Sequence, residues 1–334
     1  MSEIRHLRNY CFHGLNLRVL CSAAMAECLD SRFRLLPSGE QYGETISLDF
    51  HSVADGSRHR VKKPQGQGRV FYNMPSGEAC YFEAEDQVYL SFGDGVRALG
   101  SPGLGCASIS VVESGPVNLF SASHIVLTIL LIEMLKRRGC YSMHAAGFTK
   151  DGKAILIPGT SGAGKSTLSI TLLRGGFGYL SDDMTFLRRC PDGFEVLGFP
   201  EDVDVSDKTI GFFPELDFLA RSPKTAGFTK KQVRADEVYG AVPVRQARPG
   251  AIVIPKISGE QKSVLRPIDA DEALLDMVSN VLLTEGRSCQ DHLTILSELV
   301  RQTPCYRLAT GRDFDDIPFL LSELLSRRTE EIYA

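Results

Sequence analysis

The sequence predicts an α/β protein in two parts, a β-rich α+β module over residues 1–120 and a P-loop domain over residues 121–334. The first part is a series of short apolar runs separated by glycine-bearing turns. In the second part strand-like and helix-like runs alternate, which is typical of α/β domains. Residues 159–166 of that part, GTSGAGKS, match the phosphate-binding motif G-x-x-x-x-G-K-[ST] at every fixed position.

The composition is that of a soluble globular protein, with 334 residues of which 43% are hydrophobic and 23% charged. The formal net charge of −4 disfavours a nucleic-acid-binding protein. The nine cysteines include no C-x-x-C pair, so neither a zinc site nor a disulfide framework is indicated. No secretory signal pattern opens the chain. We therefore expect a cytoplasmic protein with reduced thiols.

Strand-like runs fill most of the N-terminal module: LNLRVL, RFRLLP, ISLDF, RVFYNM, CYFEAEDQVYLSFGDG and ASISVV. A single helical run, SAAMAECLD, interrupts them. No catalytic motif is evident among these residues, so the role of the module is left open.

The run SASHIVLTILLIEMLKRRG opens the second part and is predicted to be a helix, with Ser121 or Ser123 as its N-cap and Gly139 as its stop. Its most apolar stretch, IVLTILLIEML, is shorter than the roughly 20 residues that span a bilayer. We therefore predict a core helix and no membrane association.

The P-loop motif lies between the two elements that its function requires. KAILIP before it is typical of a buried strand, and STLSITLLRGG after it is typical of a helix that ends at Gly-Gly. The loop's N–H groups and the helix N-terminus would bind phosphate, the lysine would bridge the outer phosphates, and the hydroxyl would bind Mg²⁺. The predicted nucleotide-binding residues are Gly159, Thr160, Ser161, Gly162, Ala163, Gly164, Lys165, Ser166 and Thr167.

A histidine upstream of the P-loop is a candidate site residue because of a predicted hairpin. The Asp-Gly pair at 151–152 is a favoured two-residue hairpin turn between two strand-like runs. If Lys150 pairs with Lys153, paired residue numbers sum to 303, and His144 lies opposite Gly159. Cross-strand partners have Cβ atoms about 5.5 Å apart or less. We therefore predict that His144 faces a bound phosphate.

Two aspartates follow the P-loop helix closely. FGYLSDD is a strand-like run that ends on Asp182 and Asp183, and α/β sheets bind ligands at the carboxyl ends of their strands. Such a pair can be a helix cap or a turn, but behind a P-loop it is suited to binding metal or accepting a proton. The spacing predicts that phosphate grip, metal ligand and proton acceptor come from one strand–helix–strand unit.

The remaining runs predict a strand at AIVIPKI, a helix over about residues 270–283, a helix at HLTILSELVRQ, a strand at CYRLAT and a last helix at IPFLLSELLSRR. Residues 221–248 hold seven Lys or Arg, at 221, 224, 230, 231, 234, 245 and 248. This basic segment is either a solvated loop or a mobile lid over an anionic nucleotide or an acidic peptide.

Residues 144–183, HAAGFTKDGKAILIPGTSGAGKSTLSITLLRGGFGYLSDD, resemble the core of HPr kinase/phosphorylase, in particular the HPr-kinase-like proteins with an added N-terminal module. The same core is similar to that of phosphoenolpyruvate carboxykinases. The resemblance implies a P-loop kinase core of this type. It also implies that His144 assists at the phosphate site, Lys165 and Ser166 bind phosphate and Mg²⁺, and Asp183 accepts the proton of a serine hydroxyl. Asp182 would order metal or water beside it.

Two weaker matches extend the resemblance over residues 142–254. FEVLGFP is similar to a family stretch in which a glutamate contacts metal, which implies Glu195, although the family's arginine there is Leu197 here. VPVRQARPGAIVI is similar to the family's Pro-Val-Arg-Pro-Gly-Arg-Asn loop, which implies Arg245 or Arg248 as a catalytic cation. The loop lacks the asparagine, and the substrate-facing signature of HPr kinases is broken, so HPr is not the expected target.

The expected activity is that of a Mg²⁺-dependent kinase that uses ATP, another nucleoside triphosphate or another phosphoryl donor. The expected acceptor is a serine on a protein or a modified peptide. A small-molecule kinase acting on a hydroxyl compound and a non-catalytic nucleotide-binding regulatory module are the alternatives. A regulatory module would have no need of a proton acceptor at Asp183. No nucleic-acid partner is expected, and the oligomeric state, including a homo-oligomer, is left open.

Overall fold

The computed structural model of the protein describes residues 4–39, 43–74, 77–160, 162–224, 229–278, 281 and 286–326. By its internal contacts the chain divides into two units. The first unit is Met1–Cys140 with Thr225–Thr229 and Leu282–Cys289, and the second is Tyr141–Lys224, Lys230–Val281 and Gln290–Ala334. Each unit combines a sheet with helices, so the prediction of a mixed α/β protein is confirmed.

Among its described residues the first unit has eight strands: β1 (His6–Phe12), β2 (Leu15–Cys21), β3 (Thr45–Val53), β4 (Arg69–Met74), β5 (Gly77–Phe82), β6 (Gln87–Phe92), β7 (Val96–Ser101) and β8 (Cys106–Val112). They form one sheet in the order β1-β2-β3-β8-β7-β6-β5-β4. The neighbours β2, β3 and β8 are parallel, and β8 to β4 form an antiparallel meander. A 3₁₀ turn (Glu83–Glu85) joins β5 to β6.

Helix α1 (Ala23–Arg32) connects the parallel strands β2 and β3. Its N-cap is Ser22, whose Oγ accepts a hydrogen bond from the N–H of Met25 at 3.2 Å. The run RFRLLP, predicted as a strand, was assigned wrongly, since it contains the end of α1 and the turn that follows. Phe33 in this run is buried with its ring against Tyr10, so its apolar character reflects packing and not strand alternation.

The apolar helix that follows β8 consists of α2 (Pro116–Phe120), a π-helical turn (Ser121–Val126) and α3 (Leu127–Lys136). It belongs to the first unit, whereas the composition of the sequence assigned residues from 121 onwards to the P-loop domain. Gly100 of β7 permits this packing, because a Cβ atom there would lie 2.6 Å from a methyl group of Leu130.

This apolar helix is also longer than predicted. Because it begins at Pro116 and not at Ser121, it spans 21 residues, which is long and apolar enough to cross a membrane. Core helices of soluble proteins meet the same criterion, and more than half of its apolar window is buried within the structure. It also carries a fully buried ion pair, in which Lys136 lies 2.9 Å from Glu133. Length and composition therefore do not assign this helix to a membrane.

The second unit contains eleven strands among the residues that the structure describes: β9 (Cys140–Met143), β10 (Ala145–Lys150), β11 (Lys153–Pro158), β12 (Gly178–Ser181), β13 (Thr185–Cys190), β14 (Gly193–Gly198), β15 (Val203–Val205), β16 (Lys231–Val233), β17 (Gln246–Ile257), β18 (Val264–Pro267) and β19 (Cys305–Thr310). The main sheet runs in the order β12-β10-β11-β17-β14-β13-β9, with β19 and then β18 joined to β17. Strands β15 and β16 form a separate two-stranded ribbon.

Its helices are α4 (Lys165–Arg174), α5 (Asp207–Ile210), α6 (Asp217–Ala220), α7 (Ala235–Tyr239), α8 (Ala270–Val278), α9 (Gly286–Gln302) and α10 (Ile317–Ser326), with a 3₁₀ turn at Pro214–Leu216. The helix predicted over residues 270–283 is described as far as Val278, and its last part lies mostly outside the described residues. The predicted strand CYRLAT and the predicted last helix are confirmed as β19 and α10.

The P-loop strand β11 is buried on both faces of this sheet. Ala154 and Leu156 pack in a core cluster with residues of α8 and α9. The alternate residues Ile155 and Ile157 are equally buried and point to the opposite face of the sheet. Helix α4 packs against the neighbouring strand β10. Burial on two faces explains why the run KAILIP is apolar throughout and does not alternate.

Candidate active site

The P-loop has the strand–loop–helix arrangement that its sequence motif requires. Strand β11 ends at Pro158 and α4 begins at Lys165. Gly162 and Gly164 adopt φ angles of +87° and +99°, a backbone conformation that strains other residues. These two glycines let the chain turn tightly into the helix. The N–H groups of the loop therefore lie next to the helix N-terminus, and both stabilise a bound anion. Ser161 lies outside the described residues.

The predicted hairpin register is confirmed. Strands β10 and β11 are antiparallel with Lys150 opposite Lys153 and Ala145 opposite Pro158, so paired residue numbers sum to 303 along the whole hairpin. Both turn residues have positive φ, +51° and +76°, as a two-residue type I′ turn requires. This register carries His144, one residue before β10, to the beginning of the P-loop.

His144 bridges the P-loop lysine and the second aspartate. The ammonium Nζ of Lys165 lies 3.1 Å from Nε2 of His144 and also donates a short hydrogen bond to the carbonyl of Gly159. On the other side of the ring, Nδ1 of His144 lies 3.3 Å from Oδ2 of Asp183. An ammonium can only donate, so His144 accepts at Nε2 and donates its Nδ1–H to the carboxylate. The predicted contact between His144 and the P-loop is confirmed.

Asp183 reaches this position because β12 runs parallel to the P-loop strand. Strand β12 pairs antiparallel with β10, with Ser181 opposite Gly147, and β10 pairs antiparallel with β11. The carboxyl ends of β11 and β12 therefore meet at the same edge of the sheet. Oδ1 of Asp183 lies 3.9 Å from Nζ of Lys165, and the Asp183 side chain is 59% exposed. It is the exposed carboxylate of the pair.

The pKa values of Lys165 and Asp183 are both lowered, which suits an ionised base beside a partly desolvated cation. Burial lowers the pKa of Lys165, and the nearby carboxylates of Asp183 and Asp182 oppose that shift only in part. For Asp183 the partial loss of surrounding water, although the side chain is exposed, raises the pKa. However, the hydrogen bond and charge of His144, together with the charges of Lys165 and Lys230, bring the pKa of Asp183 below its ordinary value. Asp183 is therefore a carboxylate at neutral pH.

Asp182, in contrast, is buried and ties the surrounding elements together. Its Oδ1 accepts a hydrogen bond of 2.7 Å from the hydroxyl of Ser169 in α4, and its Oδ2 accepts one of 3.1 Å from the backbone N–H of Asp204 in β15. Burial raises the pKa of Asp182 to about 6, although Ser169 lowers it. Two adjacent aspartates thus have different environments, which is how carboxylates acquire different roles.

The sequence did not point to Asp204, a half-buried carboxylate that is also part of the site. One of its oxygens, Oδ1, is buried and has no hydrogen-bond partner among the described residues. Burial and the neighbouring carboxylate of Asp182 raise the pKa of Asp204 to about 7. Asp204 lies 21 residues after Asp183, in a three-residue strand without a motif, so only the fold could show that it adjoins Asp182.

Glu195, predicted as a metal ligand, lies away from the P-loop. Its Oε2 pairs with Arg188 at 2.9 Å, and its Oε1 accepts from Gln246 at 3.4 Å. In the β13–β14 hairpin Gly198 lies opposite Thr185, near the aspartates. Glu195 lies three residues before Gly198 in β14, about 10 Å away from it along the strand. The structure does not bring Glu195 together with Ser166 or Asp182.

The two candidate arginines lie in different places. Arg248 is opposite Lys153 at the amino end of β11, about 16 Å along the strand from the P-loop, and pairs with Asp192 at 3.0 Å. The carbonyl of Arg245 accepts a hydrogen bond of 2.7 Å from the N–H of Gly198, so its backbone lies at the end of β14 nearest the aspartates. Of the two, Arg245 is the one that the fold places near the site.

The basic segment 221–248 is described apart from residues 225–228. Most of its charges are engaged locally. Lys231 lies 3.2 Å from Asp207 and donates to the carbonyl of Ala220, and Arg234 pairs with Glu237 at 2.6 Å. The described part therefore contains short elements, β16 and α7, and whether it moves as a lid stays a prediction.

The chain matches no protein-family model and no curated protein. A solved structure of the HPr(Ser) kinase/phosphatase from Coxiella burnetii is similar to it over 58% of this chain and 99% of that chain, with 13% sequence identity and a TM-score of 0.30. A likeness of this size assigns neither a family nor an activity. The resemblance of residues 144–183 to HPr kinases stays a prediction, and the function is inferred from the site residues.

Proposed function

We propose that the protein is a Mg²⁺-nucleotide-dependent phosphotransferase that transfers a phosphoryl group to a hydroxyl, with a serine of a protein or modified peptide as the preferred acceptor class. The observation that supports this proposal best is the contact chain Lys165–His144–Asp183 at the mouth of the P-loop. A protein that only binds nucleotide needs the lysine but has no use for an ionised carboxylate oriented by a histidine.

In the proposed reaction Asp183 is the general base. It takes the proton of the acceptor hydroxyl as the hydroxyl oxygen forms its bond to the terminal phosphorus. The bond between that phosphorus and the bridging oxygen breaks, and the leaving diphosphate keeps the electron pair. Lys165 stabilises the charge on the phosphoryl oxygens. His144 orients both groups, since it accepts from Lys165 and donates to Asp183.

The residues around the P-loop fit a magnesium ion. Ser166 is half-buried at the start of α4. The carboxylates of the buried Asp182 and the half-buried Asp204 have raised pKa values, because burial disfavours their charge. The Oδ1 atom of Asp204 has no hydrogen-bond partner among the described residues, so it is available to coordinate a metal ion. Within the described chain no cluster of three or more His, Cys, Asp or Glu forms a closed metal site. Mg²⁺ suits such a sparse set, because it binds one or two carboxylates together with phosphates and water.

Ser166 and Asp182 would hold the ion, with Asp204 as a further oxygen ligand, and the ion would neutralise charge on the phosphates. Glu195 was the third predicted ligand, and its pairing with Arg188 does not support that role.

The test is a transfer assay with radiolabelled γ-phosphate. The purified protein is incubated with labelled ATP and Mg²⁺, first with a library of serine-containing peptides and then with a set of small hydroxyl compounds. Lys165→Ala and Asp183→Asn serve as inactive controls, and Asp217→Asn, an exposed aspartate on α6, is the matched control for loss of one carboxylate.

A labelled peptide whose formation needs Lys165 and Asp183 supports the proposal. Labelling of small compounds alone would make the protein a small-molecule kinase on the same site. Tight nucleotide binding without any labelled product or phosphate release would overturn the proposal in favour of a regulatory module.

A further inference from the structure

The β15–β16 ribbon lies beside the aspartates and has one buried face and one half-buried face. Asp204 lies opposite Gln232 in this antiparallel pair, and both are half-buried, whereas their neighbours Val203, Val205 and Val233 are fully buried. The backbone N–H of Asp204 donates to Asp182, so this part of β15 adjoins the end of β12. We call this face, which carries Asp204 and Gln232, the ribbon face.

Lys230 continues the ribbon face by one position. Paired residue numbers sum to 436 over the whole ribbon, and the same register continued by one residue would place Lys230 opposite Ser206, diagonal to Asp204. Side chains alternate along a strand, so a continued strand would place Lys230 on the same side as Gln232. Lys231 confirms the alternation, because its side chain is buried on the other side, where it donates to the carbonyl of Ala220.

The charge of Lys230 acts on the whole site and is not neutralised by a dedicated partner. Its ammonium lies close enough to the carboxylates of Asp182, Asp183 and Asp204 and to the ammonium of Lys165 for its charge to act on each of them. Lys230 is half-buried and forms no ion pair or hydrogen bond with any residue that the structure describes. By contrast, its neighbours Lys231 and Lys224 both lie within 4.0 Å of Asp207.

We propose that Lys230 is a second phosphate-binding cation of the P-loop site, supplied by the ribbon face and directed at the outermost phosphate of a nucleoside triphosphate. Lys165 would bind the phosphates from the P-loop, and Lys230 would bind them from the ribbon, next to Asp204. This inference rests on the proposed function and adds to it a preference for three phosphates over two.

The experiment measures the binding of inorganic tripolyphosphate and pyrophosphate in the presence of Mg²⁺ by isothermal titration calorimetry. Neither probe carries a nucleobase, so only contacts to the phosphates contribute to the affinity. The variants are Lys230→Gln, Lys230→Arg, Lys165→Ala and Lys208→Gln. Lys208 is an exposed lysine in α5 and controls for the loss of one positive charge. Thermal unfolding of each variant confirms that it is folded.

We expect Lys230→Gln to weaken tripolyphosphate binding about 10–100-fold, the range of a charge-assisted hydrogen bond, and to change pyrophosphate binding less than about twofold. Lys230→Arg should restore most of the loss, and Lys208→Gln should have no effect. Equal affinities for Lys230→Gln and Lys208→Gln, with binding still dependent on Lys165, would overturn this inference alone. Failure of the wild type to bind either polyphosphate would overturn the proposed function and this inference with it.

Discussion

The substitution Asp183→Asn tests whether the exposed aspartate is a base or a metal ligand. Asparagine keeps the shape of the side chain and can still accept from Nδ1 of His144, but it cannot take a proton at neutral pH. If Asp183 is the base, transfer should fall by about 10²–10⁴-fold, which raises the activation free energy by about 3–5 kcal/mol.

The effect on nucleotide binding can be worked from the distance between Asp183 and Lys165. At 3.9 Å a carboxylate and an ammonium attract each other by about 1 kcal/mol in water and about 4 kcal/mol at an effective dielectric constant of 20. Asp183 is 59% exposed, so the lower figure applies. The carboxylate also repels an incoming phosphate. Its removal should therefore leave Mg²⁺-nucleotide affinity unchanged or improve it up to about fivefold.

The assay pairs calorimetric titration of Mg²⁺-ATP with initial rates on the acceptor found in the transfer screen, or with phosphate release to water. Asp217→Asn is measured alongside as the carboxylate control. Binding weakened together with the rate would show that Asp183 mainly holds metal. Equal transfer rates in wild type and Asp183→Asn would refute its assignment as the base.

Four further predictions follow from the same geometry. Lys165→Ala should lose measurable Mg²⁺-nucleotide binding by calorimetry together with turnover, since the P-loop loses its charge on the outer phosphates, and unchanged affinity would contradict the phosphate site. His144→Ala should lower kcat about 10–100-fold and shift the acid limb of the pH–rate profile to higher pH, because the pKa of Asp183 returns towards its ordinary value. An acid limb at the same pH in both proteins would argue against the contact between His144 and Asp183. Gly164→Ala should lower stability by about 1–3 kcal/mol in thermal unfolding, because its φ of +99° strains an L-residue, and should weaken phosphate binding; a neutral effect on both would exclude that backbone requirement. Asp204→Asn should raise the unfolding temperature in EDTA at pH 8 but not at pH 4. Burial raises the pKa of Asp204 to about 7, so the folded state binds this proton more tightly than the unfolded state does, and the wild type loses stability as pH rises from about 4 to 7. A gain in unfolding temperature of equal size at both pH values would refute the pKa shift.

The sequence alone determined the hairpin, the P-loop and the position of His144. These depend on local rules: an Asp-Gly turn fixes the register of its two strands, and a fixed register assigns each side chain its opposite partner. The two glycines of positive φ and the helix after them likewise follow from residues that adjoin in the chain. The mixed α/β character follows from the alternation of apolar runs.

Only the tertiary structure decided which distant residues join that local unit. The helix from Pro116 begins earlier than its sequence suggests, because no side-chain cap marks its start. Arg248 and Glu195 look suitable by resemblance, yet their strand registers place them about 16 Å and 10 Å away from the P-loop end of the sheet.

Asp204 and Lys230 have no motif. An antiparallel ribbon brings Asp204 beside Asp182, and Lys230 directly precedes the second strand of that ribbon. Their distance from the P-loop depends on how the chain crosses between strands. A local pattern of residues carries no information about that crossing, because the free energy that selects it comes from burial summed over the whole sheet.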